Sequence, residues 1–217
     1  MAWHRSYHAP SPAQSGNKDF VARLRMWSNT EAIIEGFSVE GIWPMTVIYV
    51  VTTGGTIDKV YSEQQGVVAN VESKIDRYLR LLRLPDTEVR VVPLMNIDSL
   101  DMTDSDRARI LETVKGLLSE KAPILITHGT DTMVETGLYL QRGLPKLDVP
   151  IVMTGAMAPL GFEGSDALQN LTESLFALRI LPPGIYLVSH NQVFPISNVR
   201  KDRTLGRFVK IEENSSK

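Results

Sequence analysis

Residues 46–59 read TVIYVVTTGGTIDK. The first six form an almost unbroken β-branched and aromatic run, which suits a strand covered on both faces better than one with a solvent side. The run then breaks into Thr52, Thr53, Gly54, Gly55 and Thr56. A buried strand that ends in three threonines about a glycine pair has two readings. One is a polar turn that the glycines permit. The other is a hydroxyl held on tight backbone as a nucleophile, where glycine lets the chain approach a ligand closely and present its N–H groups.

The same kind of run recurs as EVRVVPL at 88–94, PILIT at 123–127, PIVMTG at 150–155 and GIYLVS at 184–189. Between these runs, apolar residues keep helical spacing: Val71, Ile75, Leu79 and Leu82; Ile110, Val114 and Leu117 or Leu118; Val134 and Leu138; Leu168, Leu171, Leu175 and Leu178. Thr103 before DSDRARI reads as a helix N-cap with acids in the first turn. This alternation predicts an α/β fold, an open and mostly parallel sheet with helices on both faces and right-handed crossovers. Ligands of such a sheet sit at the carboxyl ends of the strands, near a switch in strand order.

The chain has 217 residues, 43% of them hydrophobic and 22% charged, which are values of a globular domain. A net charge of −2 and a pI near 6.1 give no general pull toward nucleic acid or membranes. The absence of cysteine excludes disulfides, thiolate metal sites and a cysteine nucleophile. No apolar run approaches the roughly 20 residues of a membrane helix, and MAWHRSYHAPSPAQSGNKDF at the start lacks the apolar core of a secretory signal, so a cytoplasmic protein is expected. Residues 1–44 begin polar and rich in Pro and Ser, with one weak helical pattern around Phe20 to Ile34. They read as an N-terminal appendage to a domain over 45–217, with no internal repeat and no linker to a second domain.

Four of the five strand ends turn polar, at 52–56, 127–132, 154–155 and 189–191. Each has a structural reading beside a functional one. Thr130 or Asp131 could be the N-cap of the following helix. His128 invites a triad, but no Gly-x-Ser-x-Gly elbow accompanies it, so a packed strand-end residue is expected. Near the end, Arg200, Lys201, Arg203 and Arg207 form a basic cluster that reads as a solvated face, a nucleic-acid or phosphate contact, or the setting of one desolvated lysine that serves as a base. No Walker or G-x-G-x-x-G signature supports nucleotide binding.

Taken together, TTGGTI, ITHGTDTM and VMTGAMAP, in that order and spacing, resemble the bacterial-type L-asparaginase family. The resemblance runs from about Thr46 to Phe208 and covers the N-terminal catalytic domain of that family, as in a short, single-domain form. It implies Thr56 as the nucleophile, Thr130 as the second catalytic threonine with Lys201 as its partner, and Tyr61 as a candidate activator of Thr56. It further implies Ser99 at the substrate α-carboxylate and Asp131 at the α-amino group; amide hydrolysis also needs donors at the developing oxyanion, for which backbone N–H groups near Gly55 or Thr130 are expected. Leu100 departs from the pattern, since many members have glutamine after the substrate serine.

The implied activity is hydrolysis of L-asparagine to aspartate and ammonia through a threonine-linked acyl-enzyme. It needs no metal or other cofactor, and the implied assembly is a homo-oligomer, a dimer or tetramer. An amidotransferase subunit and a catalytically inactive amino-acid-binding module are the alternatives.

Overall fold

The computed structural model describes residues 45–64, 66–70 and 73–211; the expected appendage over 1–44 lies outside them. In chain order, β1 (Thr46–Gly54) leads into a hairpin of β2 (Val60–Ser62) and β3 (Val67–Ala69), then α1 (Ile75–Leu79), β4 (Thr87–Ile97) and α2 (Asp104–Leu118). Next come β5 (Ile124–Thr127), α3 (Met133–Gly143), β6 (Pro150–Thr154), α4 (Ala167–Ile180) and β7 (Gly184–Ser189). The described chain closes with β8 (Gln192–Pro195) and a hairpin of β9 (Val199–Asp202) and β10 (Arg207–Lys210).

All five apolar runs become strands of one six-stranded sheet, in the order β4-β1-β5-β6-β7-β8. The first five are mutually parallel, and β8 adds an antiparallel edge beside β7. That edge was not expected from the sequence, because QVFP is short and its turn, His190-Asn191, is not the usual Asn-Gly pair. Both turn residues take positive φ, 51° and 59°, as a two-residue hairpin turn of matching twist requires.

Alternate residues of the strands feed two cores. Tyr49, Val51, Ile124, Ile126, Ile151 and Met153 face α2 and α3, whereas Ile48, Val50, Leu125 and Val152 face α1 and α4. A central strand buried on both faces can thus be apolar at every position, and each fully buried Ile, Leu or Val contributes about 1.5–3 kcal/mol.

The helices follow the expected spacing with three differences. α1 spans only Ile75–Leu79; Val71 lies outside the described residues, and Leu82 falls after the helix, in the turns leading to Pro85. α3 buries Met133, Thr136, Gly137 and Leu140 rather than Val134 and Leu138. Its phase is set by a close approach, since a methyl group on Gly137 would lie 2.4 Å from Ile196 Cγ1. In α4, Leu171, Leu175 and Leu178 are buried as expected, but Leu168 is exposed. Thr103 caps α2 as expected, and it does so reciprocally: its hydroxyl accepts from Asp106 N, and its own N–H donates to the Asp106 carboxylate.

After β1 the chain first adds β4 on one side and later β5 on the other. The order therefore switches at β1, and the crevice between the carboxyl ends of β1 and β5 is where an open α/β sheet admits ligands.

Candidate active site

The strand-end threonines divide into two groups. Thr53 Oγ1 donates to Thr127 O at 2.8 Å, and Thr154 Oγ1 donates to Val188 O at 2.8 Å. Both hydroxyls are buried and tie neighbouring strands together, which satisfies a polar group that would be costly to bury alone. Thr56 is different. It lies beyond the glycine pair, is partly exposed, and its hydroxyl has no hydrogen-bond partner among the described residues.

The glycines bring three strand ends into contact. Gly54 and Gly55 take φ of 94° and 83°. A methyl group on Gly55 would lie 2.3 Å from the Cα and N of Gly129, and one on Gly129 would lie 2.4 Å from Ser99 Oγ. The end of β1 therefore touches the end of β5 through backbone, and Gly129 packs against the Ser99 side chain just beyond β4, which only residues without a Cβ allow. Gly55→Ala is expected to destabilise the domain by at least about 2 kcal/mol, from backbone strain and overlap together. Gly164→Ala serves as the control, because Gly164 has φ of 74° but nothing within 4 Å of its would-be Cβ. Equal losses in thermal melts of the two variants would mean that the close approach at Gly55 is dispensable.

The backbone of Gly55 is held from several directions. Gly55 N donates to Ile97 O at 2.9 Å, and Gly55 O accepts from Asp58 N at 3.1 Å and from Asn70 Nδ2 at 2.9 Å. Asn70 also donates to Asn96 Oδ1 at 2.9 Å, and a cavity lined by Lys59, Asn70, Asn96 and Asp98 opens beside this turn. No motif in the sequence pointed to Asn70 or Asn96; their role arises from the return of β3 toward the end of β4. Asp58, in the same turn as Thr56, is buried with Oδ1 accepting from Ser73 Oγ at 2.6 Å. Burial pushes its carboxyl up to about 6, against the opposing bonds from Ser73 and Lys74.

Across the crevice, Lys201 Nζ donates to Thr130 Oγ1 at 2.7 Å and to Asp131 Oδ1 at 3.1 Å. Residues 70 and 71 positions apart in sequence are thereby joined. Lys201 reaches the site from β9, whose pairing with β10 sets Lys201 opposite the buried Phe208. The helix-cap reading of Thr130 and Asp131 does not hold: the N-cap of α3 is Thr132, whose hydroxyl donates to Ser99 O at 2.8 Å. Ser99 is itself buried against Gly129.

His128 is fully buried, as expected of a packed residue, with Nδ1 2.8 Å from Gly129 O and Nε2 3.2 Å from Met102 Sδ. Burial pushes its imidazole down to about 4, so it is neutral at physiological pH and orients the Gly129 peptide. Tyr61 is 58% exposed on β2, opposite Val68, and its hydroxyl makes no hydrogen bond among the described residues. The basic cluster is not a uniform charged face either. Arg200 pairs with Asp202, and Lys201 and Arg203 both pair with Asp131.

The structure thus gathers Gly55, Ser99, Thr130, Asp131 and Lys201 about the turn that carries Thr56. The family model described as Asparaginase, N-terminal matches residues 47–208. Over 159 residues the chain is 30% identical to the L-asparaginase of Thermococcus kodakarensis, covering 73% of this chain and 48% of that protein. The solved structure of the thermostable L-asparaginase from that organism superposes with a TM-score of 0.70 over 76% of this chain and 51% of that one. L-asparaginase 1 of Escherichia coli strain K12 is 37% identical over 142 residues, 62% of this chain and 41% of its own length. A glutamyl-tRNA(Gln) amidotransferase subunit of Methanococcus vannielii is 28% identical over 148 residues, 67% of this chain and 34% of its own. The chain spans about half the length, or less, of the relatives it matches.

Proposed function

Because the chain belongs to the asparaginase family, we propose that it hydrolyses L-asparagine to L-aspartate and ammonia, with Thr56 as the nucleophile. The observation that carries this reading is the Lys201–Thr130–Asp131 cluster set across the Gly55–Gly129 contact from a Thr56 hydroxyl that is unpartnered among the described residues.

In the first half-reaction Thr56 Oγ attacks the side-chain carboxamide carbon, and its proton passes to the departing nitrogen, which leaves as ammonia. A β-aspartyl ester on Thr56 remains. In the second half-reaction water adds to that ester, the Thr56 hydroxyl is restored, and aspartate leaves. A threonine hydroxyl is a weak nucleophile at neutral pH and needs a proton acceptor. The Thr130–Lys201 pair supplies a relay already hydrogen-bonded at 2.7 Å, whereas Tyr61 sits exposed on its hairpin.

Negative charge that develops on the carboxamide oxygen requires preorganised donors. The Gly55 N–H is committed to Ile97 O, so the N–H groups of Thr56 and Thr130 take that role. Ser99 would receive the α-carboxylate and Asp131 the α-ammonium group.

The test is to incubate the purified chain with L-asparagine, with L-glutamine and with buffer alone, and to follow ammonia and aspartate. Ammonia in step with aspartate is expected from asparagine, and none from buffer. Silence with both amides would sink the reading, and release only in the presence of a tRNA-linked acceptor would replace it with an amidotransferase subunit.

A further inference from the structure

Asp131 is already occupied on one oxygen by two cations. Lys201 Nζ lies 3.1 Å from its Oδ1 and Arg203 Nη2 lies 2.9 Å from the same atom. The two are unlike in their surroundings. The Lys201 side chain is 18% exposed and also bonded to Thr130, whereas that of Arg203 is 73% exposed.

The placement of Arg203 is built into the chain. It opens the four-residue loop between β9 and β10, and Asp202 fixes that loop by accepting from Thr204 N and Leu205 N, both at 3.0 Å. Arg200 pairs with the other oxygen of Asp202 at 3.1 Å. The loop is thus tied from within, and Arg203 reaches back from it to Asp131.

We infer that Arg203 is a specificity-determining residue: by pairing with Asp131 it shields the ammonium anchor and biases the site toward amide substrates whose far end is a lone carboxylate, against those that also carry an α-ammonium. This inference rests on the asparaginase reading above. Among the described residues, the Asp131 carboxylate with its two cations carries an excess of one positive charge. An arriving ammonium must displace Arg203 from Asp131 or share its oxygen with two other cations. An arriving carboxylate near Ser99 meets no such competitor and gains attraction from the guanidinium. Displacement of so exposed a pair is inexpensive, so Arg203 tunes preference without closing the site to asparagine.

The experiment compares kcat/KM for L-asparagine and for succinamate, the same molecule without its amino group, in the wild type, Arg203→Ala, Arg203→Lys, Asp131→Asn and Asp131→Asn/Arg203→Ala. Arg203→Ala is expected to raise the asparagine-to-succinamate ratio roughly 2- to 5-fold, mostly through KM, the range set by exposed ion pairs. Arg203→Lys keeps the charge and should stay near the wild type. Asp131→Asn should lower the ratio, and adding Arg203→Ala to it should change the ratio no further, because Arg203 acts through Asp131. Raising the salt concentration should move the wild-type ratio toward that of Arg203→Ala, since an exposed pair is screened.

An unchanged ratio in Arg203→Ala, or the same rise in the Asp131→Asn background, would overturn the inference while the asparaginase reading stands. No ammonia from either substrate with any of the proteins would overturn that reading, and this inference with it. Thermal melts that superpose for the wild type and Arg203→Ala are expected at so exposed a position.

Discussion

Thr56→Ala is expected to reduce ammonia release by about a thousandfold or more while leaving the melting curve close to that of the wild type. The kinetic part follows from the proposed role, since losing the nucleophile removes the covalent route and leaves only binding and oxyanion contacts. The stability part follows from position. Thr56 is partly exposed and its hydroxyl is unpartnered among the described residues, so truncating it creates neither a cavity nor an orphaned bond. Thr53→Ala is the informative contrast. That hydroxyl is buried and donates across to Thr127 O, so its removal should cost about 1–2 kcal/mol of stability with a much smaller effect on turnover. Mass spectrometry of wild-type protein quenched during turnover should find an acyl adduct on the peptide containing Thr56. A Thr56→Ala enzyme that still turns over at the wild-type rate would sink the assignment.

Lys201→Met is the second large effect. A positioned proton-transfer group contributes about 10²- to 10⁴-fold, and kcat should fall in that range. Thr130→Val should lose a comparable factor, because the lysine reaches the reaction through the Thr130 hydroxyl at 2.7 Å. The double variant should be little worse than either single one, since groups that act as a unit are not additive. Multiplicative losses would instead mean that Thr130 and Lys201 act separately. Thermal melts guard the comparison: Lys201→Met also removes a cation from Asp131, which Arg203 still balances, so only a small change in stability is expected.

Several parts of this site were legible from residue type alone. Thr56 follows two glycines at the end of an apolar strand, and Thr130 and Asp131 follow Gly129 at the end of another. Strand ends of this class of sheet are where ligands are bound, so the polar break in each run marks a candidate. The same rule overreached at Thr53 and Thr154, whose hydroxyls serve the sheet itself. A threonine that stitches strands and one that faces a crevice look alike in sequence, because both are polar residues at the end of an apolar run. Tyr61 is close to Thr56 along the chain and lies exposed on a hairpin strand, a placement that spacing alone does not give.

The sequence by itself determined the five parallel strands, the two-faced core and the segments proposed to supply the chemistry, because burial on both faces leaves continuous apolar runs and tight turns demand glycine. These are local constraints, written in neighbouring residues. The Lys201–Thr130 contact was implied by the family resemblance and is present in the structure, whereas what only the tertiary structure decided are the other pairings across the crevice: Arg203 on Asp131, Asn70 on the Gly55 carbonyl, and Thr132 rather than Thr130 or Asp131 at the start of α3. Each depends on where separate elements come to rest, β9 beside α3 and β3 against the end of β4, and on which side chain has the length to span the gap. A lysine and an arginine two residues apart read as one basic patch in sequence. Folding sets the first inside the crevice and leaves the second at its rim, because the strand fixes Lys201 opposite a buried phenylalanine and the loop that follows turns Arg203 out to solvent.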